Sequence, residues 1–186
     1  MLIIPGILAS SSLAEVGNFD SIATVTVGAG GQTTITFSSI PSTYKHLQLR
    51  YIARQTGGGA GGASIFMKIN SDAGNNYAQH ILYGTGASAA AGASTSRANI
   101  SYQLMASNGD TASIFGAGVT DFLDYQNTNK YKTIRSINGL DLNNTSGQLW
   151  FVSGLWQNTN AISQLDFTAE TGNFAQYSTF ALYGVK

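Results

Sequence analysis

The sequence predicts an all-β protein, an antiparallel β-sandwich preceded by a short extended arm. Three observations predict it. Past residue 20 the apolar residues recur with a period of two. About nine or ten such runs are separated by turns rich in Gly, Asn and Asp, at the spacing of consecutive hairpins. No run carries the apolar stripe of an amphipathic helix, so the crossover helices that a βαβ architecture needs are missing. No internal repeat points to a solenoid or a propeller.

Taken in order, Ala23, Val25 and Val27 alternate with Thr24 and Thr26, and Ile35 and Phe37 share a face after the glycines at 28, 30 and 31. Two short β-rich runs across a Gly turn predict a hairpin. Leu47, Leu49, Tyr51 and Ala53 alternate with Gln48, Arg50, Ile52 and Arg54, a half-buried strand whose outer face is basic. The run at 57–62 (GGGAGG) breaks that strand, and Ile65, Met67 and Ile69 begin another. Residues 70–76 (NSDAGNN) are turn chemistry, because Asn, Asp and Gly tolerate left-handed backbone. From 77 to 83 the pattern fits either a strand or a single helical turn. Residues 84–96 are small and polar and read as a long flexible loop. Later strands are expected at 100–105, 112–123, 132–140, 148–156, 162–169 and 179–185, with turns around 108–110, 126–130, 143–147, 158–160 and 172–173.

Composition narrows the function. The chain has 186 residues, nine Lys+Arg, nine Asp+Glu, two His, no cysteine and two prolines. A length of this kind suits one domain that buries roughly 70% of its unfolded surface. Only 10% of residues are charged, whereas Ser, Thr, Asn and Gln supply 62, so the surface is polar but barely ionic. Zero net charge leaves no basic footprint for nucleic acid. Without cysteine there are no disulfides, thiolate nucleophiles or Cys-ligated metal sites. No stretch of about 18 apolar residues spans a membrane as a helix. The apolar opening (MLIIPGILA) is short and lacks the basic n-region of a signal peptide.

Each chemistry-bearing pattern has a plainer structural reading. Residues 57–62 match G-x-G-x-x-G, but a strand follows where a dinucleotide site needs a helix, and the nearest acid is Asp72; an inter-strand loop is expected. Residues 70–75 faintly resemble a calcium loop, but position 12 of that pattern holds Ile81, and a tight turn is expected, with a weak surface ion site as the alternative. His46 and His80 stand alone, without zinc-ligand spacing. Twenty serines bring no G-x-S-x-G elbow. Asp121 and Asp124 sit three apart, so alternation sends them to opposite faces, unlike the paired carboxylates of glycosidases; Asp124 is expected to order the polar turn that follows. Trp150, Val152 and Trp156 share one face, as core or interface packing rather than a sugar platform. No catalytic residue, cofactor or metal site is expected, and no enzyme.

The segment singled out for partner binding is the arm, residues 1–18, ahead of a sandwich domain at 19–186. Leu2, Ile3, Ile4, Ile7 and Leu8 cluster around Pro5 and Gly6, followed by three serines as a hinge. It serves either as a first strand over the core or as an arm docking on another chain. Burying those five side chains gains roughly 7–15 kcal/mol gross, while ordering about a dozen residues costs roughly 12–24 kcal/mol. A lone arm therefore binds weakly unless strand addition contributes main-chain hydrogen bonds or several arms act together through effective concentration.

At 37–50 (FSSIPSTYKHLQLR), 121–133 (DFLDYQNTNKYKT) and 180–185 (FALYGV) the chain resembles a group of tailed-bacteriophage structural proteins. The resemblance implies a jelly-roll-like sandwich, whose usual form is two four-stranded antiparallel sheets, assembled as a homotrimer on a phage particle. Capsid cement (decoration) proteins and tail or fibre proteins both fit it, and no catalytic residues come with it. A short amino-terminal segment in place of a long shaft favours cement. The expectation is a virion protein on the capsid exterior, made in the host cytoplasm, that binds the major capsid protein and stabilises contacts between its subunits, with neither nucleic acid nor membrane as partner. The alternative is a tail or fibre module that joins tail components or binds host glycan through aromatics such as Tyr83, Tyr102 or the tryptophans.

Overall fold

The computed structural model describes residues 18–143 and 147–186. Residues 1–17, and with them the candidate arm residues Leu2, Ile3, Ile4, Pro5, Ile7 and Leu8, lie outside the described residues, as do positions 144–146 of the expected turn at 143–147. Among the described residues there is no helix, and twelve strands are formed: β1 (Phe19–Thr26), β2 (Thr34–Phe37), β3 (His46–Ala53), β4 (Ala63–Ile69), β5 (Tyr77–Gly84), β6 (Ala89–Arg97), β7 (Ile100–Met105), β8 (Gly116–Leu123), β9 (Lys132–Leu140), β10 (Gln148–Trp156), β11 (Leu165–Ala169) and β12 (Thr179–Val185).

The strands form two sheets, one of eight in the order β1-β12-β3-β8-β9-β10-β5-β6 and one of four in the order β2-β11-β4-β7. The antiparallel pairs β1·β12, β2·β11, β3·β8 and β4·β7 fall alternately in the larger and the smaller sheet. That is one long hairpin rolled into two layers, the jelly-roll winding. The pairs β5·β6 and β9·β10 are additions to it. Both attach beyond β8, which turns the expected four-stranded sheet into one of eight.

Two local expectations are corrected by this winding. The runs 22–27 and 33–38 do not pair as a hairpin. β1 pairs with β12 and β2 with β11, and the glycine turn between them carries the chain from one sheet to the other. Gly31 sits there at φ 78°, and a Cβ on it would lie 2.8 Å from the Phe174 carbonyl oxygen; the turn needs glycine to bring these two backbones together. Residues 84–96 are not a loop. A turn closed by Thr85 N–H to the Ser88 carbonyl (2.9 Å) lets 89–97 pair with β5 as the edge strand β6. Ladder hydrogen bonds to an existing edge form this strand despite side chains with little to bury. The same ladder settles the 77–83 ambiguity in favour of a strand.

The core lies between the layers. Tyr51 and Phe180 stack at 5.9 Å between ring centroids, Phe180 meets Phe174 at 4.9 Å and Phe167 at 5.9 Å, and Phe167 meets Phe37 at 6.3 Å. Edge strand β7 is held by side chains of the facing sheet. Gln79 Oε1 accepts from Ser101 N–H (2.9 Å), Asn138 Oδ1 accepts from Leu104 N–H (2.9 Å), and the Tyr51 hydroxyl donates to the Leu104 carbonyl (3.0 Å). These buried polar residues satisfy main-chain groups that the end of a sheet leaves unpaired.

Candidate functional site

The segments 37–50, 121–133 and 180–185 come together at one corner of the larger sheet. β3 lies between β12 and β8, so residues 46–50, 180–185 and 121–123 are neighbours by register. Asp124, at φ 48°, turns the chain out of β8. Its N–H donates to His46 Nδ1 (2.9 Å), and its carboxylate pairs with Lys45 (3.0 Å) and Lys130. The Lys130 and Lys45 ammonium groups hold the Asp124 carboxyl down at about 2. The Tyr125 hydroxyl donates to the Pro41 carbonyl, and Lys45 N–H donates to the Val185 carbonyl at 2.9 Å. The Tyr44 ring lies across Gly184 so closely that a Cβ there would sit 2.3 Å from it. The expected polar turn is therefore formed, with Asn127 N–H on the Asp124 carbonyl (2.9 Å) and Asn129 N–H on Asn127 Oδ1 (2.8 Å).

The other candidate patterns resolve into scaffolding. The glycines at 57–62 run into β4, with no helix behind them. The Asp110 carboxylate pins them, accepting from Gly61 N–H (2.7 Å), Gly62 N–H (3.2 Å) and Ser107 N–H (2.7 Å). Burial pushes that carboxyl up, but the N–H donors of Ser107, Gly61 and Gly62 outweigh it and leave it below the usual carboxylate range. In the 70–76 turn the Asp72 carboxylate accepts from Gly74 N–H (2.8 Å), the Asn76 amide (2.9 Å) and the Trp156 indole (2.8 Å). Burial opposes its ionisation, and these donors again prevail. Trp156 and Val152 are buried, and the Trp150 ring packs near Tyr83 at 6.2 Å. The Tyr102 side chain lies outside the described residues. His80 points outward from β5, on the far side of β8, β9 and β10 from His46. Asp121 accepts from Gln48 (2.9 Å) and Arg135 (2.9 Å). Among the described residues no three His, Asp or Glu side chains cluster as a metal site would require.

One polar centre lies outside the sequence expectations. Lys132 is buried at the start of β9, and its ammonium donates to the carbonyls of Asn127 (2.6 Å), Lys130 (3.1 Å) and Thr159 (2.9 Å). It ties the corner turn to the loop before β11. Alternation places Lys132 on the inner face with Ile134 and Ser136, which is the signal that exposes it.

A second feature lies on the outer face of the larger sheet. Val119 of β8 pairs with Ile137 of β9, Ile137 with Phe151 of β10, and Phe151 with Leu82 of β5, which gives an unbroken apolar row over four strands. In the next row Ile52 pairs with Ala117, Ala117 with Gly139 and Gly139 with Leu149. Ala117 and Gly139 carry so little side chain that a depression of about 560 Å³ opens between Arg50, Val119, Ile137 and Leu149. On the other side runs a polar row of Gln48, Asp121, Arg135, Ser153 and His80. The signal was present in β10, whose sequence QLWFVSGLW is apolar on both faces, whereas an antiparallel strand with one solvated face alternates.

No family model, no curated protein and no solved structure matches the chain.

Proposed function

We propose that the protein is a non-enzymatic structural component of a tailed-phage particle, a homotrimeric cement protein on the capsid exterior that binds the major capsid protein and braces contacts between its subunits. The observation that carries this reading is the corner. Three segments that resemble phage structural proteins, far apart in sequence, pack on one another through Asp124, Tyr125, Tyr44 and Gly184.

The jelly-roll winding supports the same reading, since capsid and lectin domains use it. So does the composition. Contacts made by Ser, Thr, Asn and Gln are screened by salt less than ion pairs are, which suits a clamp that must hold across ionic conditions. The mechanism is mechanical. A rigid sandwich sits where capsid subunits meet, and the apolar residues of the arm, Leu2, Ile3, Ile4, Pro5, Ile7 and Leu8, dock on neighbours.

Co-sedimentation with shells of the cognate major capsid protein tests it. The full chain is expected to pellet with shells, and deletion of residues 1–12 is expected to abolish pelleting while the circular dichroism stays that of a β-protein. Undiminished pelleting after deletion overturns the arm's role. Glycan-array binding without affinity for shells overturns the cement reading in favour of a tail or fibre module.

A further inference from the structure

We propose that the outer face of the eight-stranded sheet is covered by a second copy of this chain. The inference deepens the homo-oligomer part of the proposed function and does not depend on where the protein sits. Ile52, Leu82, Val119, Ile137, Leu149 and Phe151 are between 39% and 62% exposed and lie in two adjacent rows. Together they present on the order of 600 Å² of apolar surface, at the upper end of what a soluble monomer shows. A stable interface buries about 800 Å² per partner, and the polar row beside the patch supplies the difference.

Charge and shape indicate that the occupant is another copy. Of the ionic groups bordering the patch, Asp121 and Arg135 pair with each other, and Arg50 is engaged by aromatic rings and the Gln48 amide oxygen. Asp121 is bound by Arg135 and Gln48, and the Arg50 guanidinium lies over the rings of Phe19 (5.5 Å) and Tyr183 (5.1 Å). The face carries no run of like charge, and a chain with nine charges of each sign meets its copy without net repulsion. It also offers both halves of a fit. Leu149, the most exposed of the six, stands beside the depression floored by Ala117 and Gly139. A projection and a recess on one chain let Leu149 of one copy enter the recess of the next, about a two-fold axis or head to tail around a ring.

Sedimentation equilibrium of the full chain, over a wide concentration range, tests the proposal. A dimer or trimer is expected. Leu149→Glu and Phe151→Glu are each expected to raise the dissociation constant at least about tenfold, as loss of a central apolar contact does, and Lys68→Glu on the smaller sheet is expected to leave it unchanged. Should either Glu variant fail to fold, Leu149→Ser and Phe151→Ser take its place, checked by circular dichroism. A wild-type monomer at every concentration overturns the proposal and gives the face to the chain's own arm or to another protein. Folded face variants that associate as the wild type does overturn it equally. A chain that self-associates through this face yet ignores capsid shells sinks the cement reading alone, and a monomer that binds shells sinks this proposal alone.

Discussion

Asp124 is the residue on which the corner turns, and its chemistry sets a pH dependence. Its carboxyl titrates at about 2 in the folded chain, against an ordinary value of 3.8, because Lys130 and Lys45 favour the ionised form. A group whose folded pKa lies below its unfolded one stabilises the fold above the unfolded value and loses that contribution as pH falls toward the folded one. Asp72 and Asp110 are displaced in the same direction. Thermal melts should therefore hold steady above about pH 4 and decline from there toward pH 2, and Asp124→Asn should make that decline shallower. Gly184 offers a second check. The Tyr44 ring occupies the place of its missing side chain, so Gly184→Ala should cost about 1–3 kcal/mol, the usual penalty of overpacking, read by urea denaturation. The polar turn after Asp124 was legible from residue types. The carbonyl cage around Lys132 was not, because its three oxygens come from turns whose convergence depends on the folded corner.

At the level of the elements, strands that bury one face against the core were the legible ones. β9, β10 and β12 fall where alternation put them, since each keeps a strict inner row. Where an edge or a change of sheet decides the outcome, local pattern is silent. β6 forms because β5 offers a free ladder, and the glycine turn after β1 leads to the other sheet because β11 and β12 supply longer-range partners. β7, an edge strand that does lie where it was expected, at 100–105, offers a test at this scale. Its N–H groups at Ser101 and Leu104 end on the side chains of Gln79 and Asn138. Gln79→Ala strands a buried donor and should destabilise the protein by about 1–3 kcal/mol, with amide exchange accelerated first at Ser101. Unchanged protection at Ser101 would mean that the strand finds its partners elsewhere.

For the whole molecule, the sequence carried the class of fold and the winding followed from the long-range pairs. A jelly roll closes its first strand on its last, a relation no local window contains, and here β1 lies against β12. The apolar outer face of the larger sheet was half legible, in the two-faced apolarity of β10, but needed the register to align Val119, Ile137, Phe151 and Leu82 into one row. A uniformly polar, nearly uncharged body with one such face is suited to being held between other proteins. The most direct test of that claim is cryo-microscopy of tailed-phage particles assembled in the presence of this chain. The account predicts three-fold density fitting this sandwich on the outside of the head, with the amino terminus directed at capsid subunits. Density confined to the tail, or particles that lack the protein altogether, would contradict it.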